Sequence, residues 1–258
     1  MYCATIQFEC YRDALIQEVD LAIGKYLDAL RYNGQILGRE FPTRMEQGVF
    51  VTRVVTPLPE SLHANNASEP VKRALQGLHD AGILTPQVKN LGIDLHSDHA
   101  DPCTNPDWQV LYTSFLSTCS PLRCGEHFAP IPLHKLPVLE TGDYQPILRW
   151  QQAWSAADEL QMNGELSTIE RQAVKEISNH DSQLSVMGQT LAKAIEERSG
   201  IPTYYYLYRV GGSDKESEQN RPCPSCGGDW RLEQSVADIL AFKCDACRLV
   251  SNLSWDFQ

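Results

Sequence analysis

The chain has 258 residues, of which 42% are hydrophobic and 21% charged, and this globular composition excludes a chain that is disordered throughout. Its 22 Lys and Arg residues against 33 Asp and Glu residues give a net charge of −11, which disfavours a protein that binds polyanions over its whole surface. The amino terminus lacks a secretory signal pattern, no stretch is long and apolar enough to span a membrane, and four of the nine cysteines fall in paired clusters, so we expect a cytoplasmic protein.

Residues 1–95 predict a ferredoxin-like unit with the element order β-α-β-β-α-β. Apolar residues alternate over 2–9, as in a half-buried strand, and recur every three or four positions over 15–30, as on the buried face of a helix. A hairpin, a second helix and a further strand follow between 39 and 95. The sequence therefore predicts an α+β fold class in which two helices cover one face of an antiparallel sheet. The expected core residues are Ile6, Phe8, Leu15, Val19, Ile23, Leu27, Val51, Leu75 and Leu78.

The rest of the α+β body, which spans residues 1–210, is predicted in two parts. Residues 96–142 are expected to be irregular with one strand, because closely spaced prolines prevent long regular structure. Residues 143–210 predict three amphipathic helices and then one strand, TYYYLYRV, whose partner the sequence does not indicate. The ten polar or flexible residues of 211–220 are typical of a linker, so we expect 221–258 to fold as a separate zinc ribbon.

Four cysteines in this last segment have the spacing of a zinc ribbon. Cys223 and Cys226 enclose two residues, Cys244 and Cys247 enclose two more, and 17 residues separate the pairs. Two residues between ligands allow a tight turn, here called a knuckle, to direct both ligand atoms at one cation. Because four thiolates leave no open coordination position, the sequence predicts one structural zinc per chain and not a hydrolytic metal. The alternative is four unligated thiols or a redox pair.

The ribbon carries little charge with which to bind nucleic acid. Residues 221–258 contain four cations and five anions, and four thiolates on zinc add further negative charge. Contact with single strands remains open, because Trp230, Trp255 and the tyrosines of TYYYLYRV could stack on bases. The alternative is that these aromatic side chains pack the ribbon core and cover the helices. If nucleic acid binds, we expect single strands to bind better than duplexes.

A second group of potential ligands lies in the middle of the chain. Cys124 and His127 have knuckle spacing, but no second clean pair accompanies them. The favoured interpretation is an ordinary loop with buried thiols, the alternative is a second metal site, and a catalytic Cys124 with His127 or His134 as its base is the least supported. The other members of this group are His96, Asp98, His99, Cys103 and Cys119.

Three motifs distributed along the chain have counterparts in one bacterial family. They are ATIQFECYRDA, SPLRCGEHFAPIPLHKLP, and the closing pair CPSCGGDW and FKCDACRLVSNLSWD. On these motifs nearly the whole chain resembles bacterial zinc-ribbon-containing proteins associated with nucleic-acid binding, a domain family of unknown function. The resemblance implies zinc ligands at Cys223, Cys226, Cys244 and Cys247, and it implies no catalytic residues.

The sequence supports two functional hypotheses. In the first, the chain is a zinc-binding, non-enzymatic protein that binds a macromolecule, with single-stranded nucleic acid as the candidate. In the second, it is a protein–protein interaction module in which the ribbon is structural. An enzyme that uses the Cys- and His-bearing middle region is a remote alternative, because no complete catalytic motif is present. We expect no membrane partner, and the sequence does not predict an oligomeric state.

Overall fold

Two units, each with its own β-sheet, make up the computed structural model, which describes residues 1–103, 105–164 and 167–257. Both units contain helices and strands, so the predicted α+β class is confirmed. Within the described residues, no helix combines the length and apolar character that crossing a bilayer requires.

The first unit has the element order β-α-β-β-α-β. Its segments are Met1–Ala100, Thr118–Ser120 and Pro130–Gln145. Its elements are β1 (Tyr2–Phe8), α1 (Ile16–Tyr32), β2 (Thr43–Glu46), β3 (Val49–Thr56), α2 (Glu69–Asp80) and β4 (Gln87–Ile93). The strands lie in the order β2-β3-β1-β4, and all neighbours are antiparallel. The first strand of the chain therefore lies inside the sheet, between β3 and β4.

The apolar faces of α1 and α2 form the core of the first unit together with β1 and β3. Val19, Ile23 and Leu27 recur with helical spacing along α1 and are all buried, as expected. Two expected core residues differ. Leu15 precedes α1 in an extended conformation and is 65% exposed, because it does not continue the helical stripe. Leu75 is only partly buried and packs at the edge of the core.

The second unit contains a six-stranded sheet and the remaining helices. Its segments are Asp101–Ser117, Pro121–Ala129 and the described chain from Pro146 onward. Its elements are β5 (Gln109–Leu111), β6 (Leu122–Cys124), α3 (Gln145–Asn163), α4 (Ser167–Ser178), α5 (Gln183–Ser199), β7 (Thr203–Leu207), α6 (Lys215–Gln219), β8 (Arg231–Val236), β9 (Leu240–Cys244) and β10 (Leu249–Asn252). The strand order is β6-β5-β7-β10-β9-β8. The tyrosine-rich strand β7 pairs parallel with both β5 and β10, whereas the outer pairs are antiparallel.

Helix α5 packs closely on the centre of this sheet. Its first turn is capped by the Ser182 side chain, which accepts a hydrogen bond from the Ser185 backbone N–H. A Cβ atom on Gly188 would lie 2.1 Å from the ring of Tyr205, so only glycine permits this approach. The ring of Trp150 from α3 packs edge-on against the same tyrosine. The helices thus bury one face of β7.

The segment 211–220, predicted as a linker, is structured. It contains α6, whose first turn is capped by Asp214, and it buries the side chain of Glu218. Downstream of it, β10 pairs with β7 over three residue pairs. The ribbon strands therefore extend the sheet of the second unit, where the sequence predicts a separate domain. The backbone groups on one edge of β7 need hydrogen-bond partners, and β10 supplies them. The polar composition of 211–220 gives no sign of this pairing.

Candidate functional site

The four ribbon cysteines converge at one end of the β8-β9-β10 sheet. Cys223 and Cys226 lie in a turn before β8, Cys244 is the last residue of β9, and Cys247 lies in the turn between β9 and β10. Their Sγ atoms all lie within 4.8 Å of one another. The distance between the Sγ atoms of Cys226 and Cys244 is 3.7 Å, close to the edge of about 3.8 Å of a tetrahedron with 2.3 Å zinc–sulfur bonds. The four sulfurs are thus arranged to surround one tetrahedral cation.

The two ribbon turns share a left-handed residue after the second ligand, and the first also has two characteristic backbone hydrogen bonds. In the first, the N–H of Gly227 donates to the carbonyl oxygen of Cys223 at 2.8 Å, and the N–H of Cys223 donates to the carbonyl oxygen of Gly228 at 2.9 Å. The residue after the second ligand is left-handed in both turns, with φ of 73° at Gly227 and 54° at Arg248. These features define the knuckle geometry of this protein.

The knuckles also bring polar groups to the sulfurs. A hydrogen bond from the backbone of Gly228 is the largest of the effects that lower the pKa of Cys226, whereas burial raises the pKa of Cys244. A bound divalent cation deprotonates its thiol ligands and overrides this difference. The arrangement can hold a metal, but with four protein ligands it offers no coordination position to a substrate.

Aromatic residues of the ribbon and of β7 pack inside the unit. Trp230 is buried, its ring lies 5.1 Å from that of Phe242, and its Nε1–H donates to the carbonyl oxygen of Arg221 at 3.0 Å. All residues of β7 are buried as well. These rings therefore pack the core and do not form the stacking platform considered from the sequence. Trp255 differs, because it is 44% exposed.

Most ribbon cations are already paired with acids. Three of the four cations between residues 221 and 258 lie in ion pairs, which reduces the positive charge available to phosphates. The pairs are Lys243–Asp245, Arg248–Glu196 and Arg221–Glu218.

The middle group of Cys and His residues is divided by the fold. Cys124, at the end of β6, and His127 meet Asp101 and Cys103, and one ligand atom from each lies within 4.8 Å of the others. Asp101 is absent from the sequence hypothesis, although its D-x-C spacing next to Cys103 could have indicated it. Burial raises the pKa of the Cys124 thiol to about 11, which is opposite to the activation that a nucleophile needs.

The other members of that group lie in the first unit. Cys119 donates to a carboxylate oxygen of Asp98, with 3.8 Å between donor and acceptor. His134 donates from Nδ1 to the carbonyl oxygen of Gly34 at 3.0 Å, and burial lowers its pKa. A catalytic pair of Cys124 and His134 therefore has no geometric support.

A further candidate site, which sequence reasoning missed, is an aromatic cleft at the carboxyl ends of the parallel strands β5 and β7. Its volume is about 420 Å³. The carboxylate of Asp158 accepts hydrogen bonds from the backbone N–H of Phe115 at 2.8 Å and from the side chain of Gln161 at 3.1 Å, and burial raises its pKa. The cleft is lined by Tyr112, Thr113, Ser114, Phe115, Leu116, Trp154, Asp158, Gln161, Met162, Tyr206, Tyr208 and Trp255.

Three domain families of unknown function match successive parts of the chain. Residues 1–92 match DUF8589, residues 103–208 match DUF2310 and residues 212–257 match DUF8594, each described as a domain of unknown function. These descriptions name neither zinc nor nucleic acid, so the zinc ribbon and the nucleic-acid binding implied by the resemblance remain proposals.

Solved structures give no functional guidance. An antibiotic biosynthesis monooxygenase matches 36% of this chain and 98% of its own, with 13% identity and a TM-score of 0.26. A Deinococcus radiodurans protein provisionally assigned the same activity matches 39% of this chain and 100% of its own, with 10% identity and a TM-score of 0.27.

Relatives in sequence are much closer. A Haemophilus influenzae protein named only as uncharacterized is 46% identical over 246 residues, which cover 94% of this chain and 94% of that protein. Another from the same organism, also named as uncharacterized, is 51% identical over 176 residues, or 68% of this chain and 86% of its own length. The chain therefore belongs to the bacterial family of these Haemophilus influenzae proteins.

Proposed function

We propose that this chain is a zinc-binding, non-enzymatic protein-interaction module, in which the ribbon is structural and the aromatic cleft receives an apolar side chain of a partner protein. The observation that carries the partner class is the cleft, where large apolar side chains remain exposed around a buried aromatic floor. We also assign the first unit to the ferredoxin-like fold, on its element order and strand order. The nine free thiols fit a reducing compartment, so we propose a cytoplasmic location.

Two observations support the zinc assignment: the four sulfur ligands, and the position of the second knuckle next to a central strand of the sheet. Four converging sulfurs are typical of zinc, and a closed shell stabilises a fold without activating water. The knuckle between β9 and β10 fixes the start of β10, which pairs with β7 at the centre of the sheet. The metal therefore has a structural role for the whole second unit.

The cleft has the composition of a protein-docking surface. Leu116 is 75% exposed, Met162 58%, Trp255 44% and Phe115 36%. Contiguous exposed apolar groups of this kind mark binding surfaces, and Trp, Phe and Met are enriched at protein interfaces. With a net charge of −11, the chain favours a partner segment in which an apolar anchor is flanked by cations.

Single-stranded nucleic acid is the second candidate, because Trp255 and Phe115 could stack on bases. It is less well supported, since the tyrosines of β7 are buried and most ribbon cations are paired. An enzyme remains remote, because the Cys124–His127 pair lacks an activated thiol.

Fluorescence anisotropy with labelled short peptides tests this function. The peptides carry one Trp, Phe or Leu anchor flanked by Lys, and matched peptides carry Ala in its place. We expect anchor-dependent binding that weakens by about tenfold, or 1.4 kcal/mol, in Leu116→Glu, and that is unchanged in Val186→Glu, an exposed position on α5.

The same assay with labelled single-stranded oligonucleotides separates the two candidates. Oligonucleotide binding that is lost in Trp255→Ala, without peptide binding, would replace the protein partner by nucleic acid. If neither probe binds at low salt, the cleft is not the macromolecule-binding surface.

A further inference from the structure

The turn from Cys124 to Phe128 repeats the backbone hydrogen bonds of the first ribbon knuckle. The N–H of Phe128 donates to the carbonyl oxygen of Cys124 at 2.9 Å, and the N–H of Cys124 donates to the carbonyl oxygen of Ala129 at 2.9 Å. Phe128, the residue after His127, is left-handed with a φ of 56°. A non-glycine residue rarely adopts this conformation. The chain thus contains a third knuckle, whose ligand positions are Cys124 and His127.

The ligand atoms at this third knuckle converge as a metal site requires. Nδ1 of His127 lies 3.6 Å from the Sγ atoms of both Cys103 and Cys124, and 3.0 Å from Oδ1 of Asp101. A tetrahedral zinc separates a sulfur ligand from a nitrogen ligand by about 3.5 Å. This ring nitrogen carries either one proton or one lone pair, so it cannot form a full hydrogen bond with all three neighbours at once, whichever group donates. The convergence is therefore better matched to a shared cation than to hydrogen bonds alone.

Asp101 supplies an independent indication of a ligand. Its side chain is only 1% exposed, and its Oδ2 atom is buried without a hydrogen-bond partner among the described residues. A buried carboxylate needs a cation or a full set of donors, because desolvation of an unpaired charge is costly. Its neighbours in the cluster are two thiols and one imidazole. A divalent cation there compensates the carboxylate.

The surrounding residues hold the third knuckle in place. A Cβ atom on Gly125 would lie 2.1 Å from the indole of Trp108, so the turn packs directly on that ring. The Glu126 carboxylate accepts the backbone N–H of Asp107 at 2.8 Å, and the Glu126 N–H points to the Cys124 sulfur at 3.4 Å. The site is thus built into the loop before β5 and the end of β6.

The geometry points to a second zinc site, formed by Asp101, Cys103, Cys124 and His127 and separate from the ribbon. Two thiolates and an imidazole favour zinc over harder cations such as magnesium or calcium. With four protein ligands, this zinc ties the segment that precedes β5 to the end of β6. The site shares no residue with the ribbon, so it does not depend on the proposed function.

Metal analysis of the full-length chain, expressed with added zinc and then freed of loosely bound metal, tests the second site. We expect about two zinc equivalents in the wild type and about one in His127→Gln. His127 is 48% exposed at its side chain, so this substitution opens no core cavity. His99→Gln, an exposed histidine earlier in the chain, is the matched control and should retain both.

Two further measurements keep the result independent of folding defects. Cobalt loading of the wild type should give the thiolate-to-cobalt absorption of two sites, and His127→Gln should retain only that of the four-sulfur ribbon site, which shows that the variant is folded. In the zinc-loaded wild type, Cys103 and Cys124 should resist alkylation until a chelator is added. The proposal is overturned if the wild type holds only one zinc or if His127→Gln retains both.

Discussion

Replacing Glu218 with Gln should strongly destabilise the second unit, because this carboxylate is buried between two arginines. Its side chain is only 4% exposed. The Nε atom of Arg209 lies 3.0 Å from both carboxylate oxygens, and Nε of Arg221 lies 3.4 Å from one of them. The Arg221 guanidinium is also 4.6 Å from the ring centroid of Trp230, so it lies inside the ribbon core. Removal of the carboxylate charge leaves this cation buried without its acid.

The size of the effect follows from burial. Breaking a buried ion pair by removal of one partner costs about 3–5 kcal/mol. Arg209 is 35% exposed at its side chain and can recover hydration, whereas Arg221 is 14% exposed and cannot. Burial already lowers the pKa of Arg221 to about 10. We therefore expect a loss near the lower limit, about 3 kcal/mol, a large fraction of the 5–15 kcal/mol that stabilise a typical domain.

Urea unfolding of the full-length chain at pH 7, followed by circular dichroism and tryptophan fluorescence, measures this loss. Glu216→Gln is the matched control, since Glu216 lies on the same helix α6 but is exposed, and it should change the free energy of unfolding by less than about 0.5 kcal/mol. A Glu218→Gln variant as stable as this control would contradict the argument and restore the interpretation of 211–220 as a linker.

Two further substitutions test other parts of the fold. Leu78→Ala should cost about 2–5 kcal/mol because its side chain is fully buried in the first unit, whereas Leu15→Ala should cost less than about 0.5 kcal/mol in the same urea assay. Glu196→Gln should cost about 1 kcal/mol at pH 7, because it removes a partly exposed ion pair with Arg248. The hydrogen bond from Arg248 lowers the pKa of Glu196, so this contribution is complete above the ordinary glutamate pKa and is lost as the pH falls through the lowered value. Unfolding curves across acidic pH should therefore show the two proteins converge, and a constant difference would exclude the ion pair as its source.

The sequence predicts most reliably what neighbouring residues determine. The apolar stripe of α1, with Val19 and Ile23 buried, follows from a helical period within 17 residues. The knuckles follow from the spacing of two ligands and a turn between them, as at Cys223 and Cys226. The prediction that Leu15 is in the core was wrong because α1 begins one residue later, and periodicity alone does not show where a helix begins.

The parts that the sequence did not predict depend on contacts between distant residues. The sequence predicts a strand at β5 but not its partners: β6 has only three residues, too few to show a period, and β7 lies more than 90 residues later in the chain. In the sequence, Glu218 is one of several polar residues in 211–220. Its burial and its ion pairs with Arg209 and Arg221 become visible only in the structure. Asp101 and His127 are likewise 26 positions apart and meet only in the folded second unit.

X-ray absorption at the zinc edge tests most directly whether the four ribbon cysteines hold a structural zinc. The sample is the full-length chain with His127→Gln, which removes one ligand of the proposed second site. We expect about one zinc per chain with four sulfur neighbours at about 2.3 Å. Nitrogen or oxygen neighbours at about 2.0–2.1 Å, or less than about half an equivalent of zinc after expression with added zinc, would contradict it.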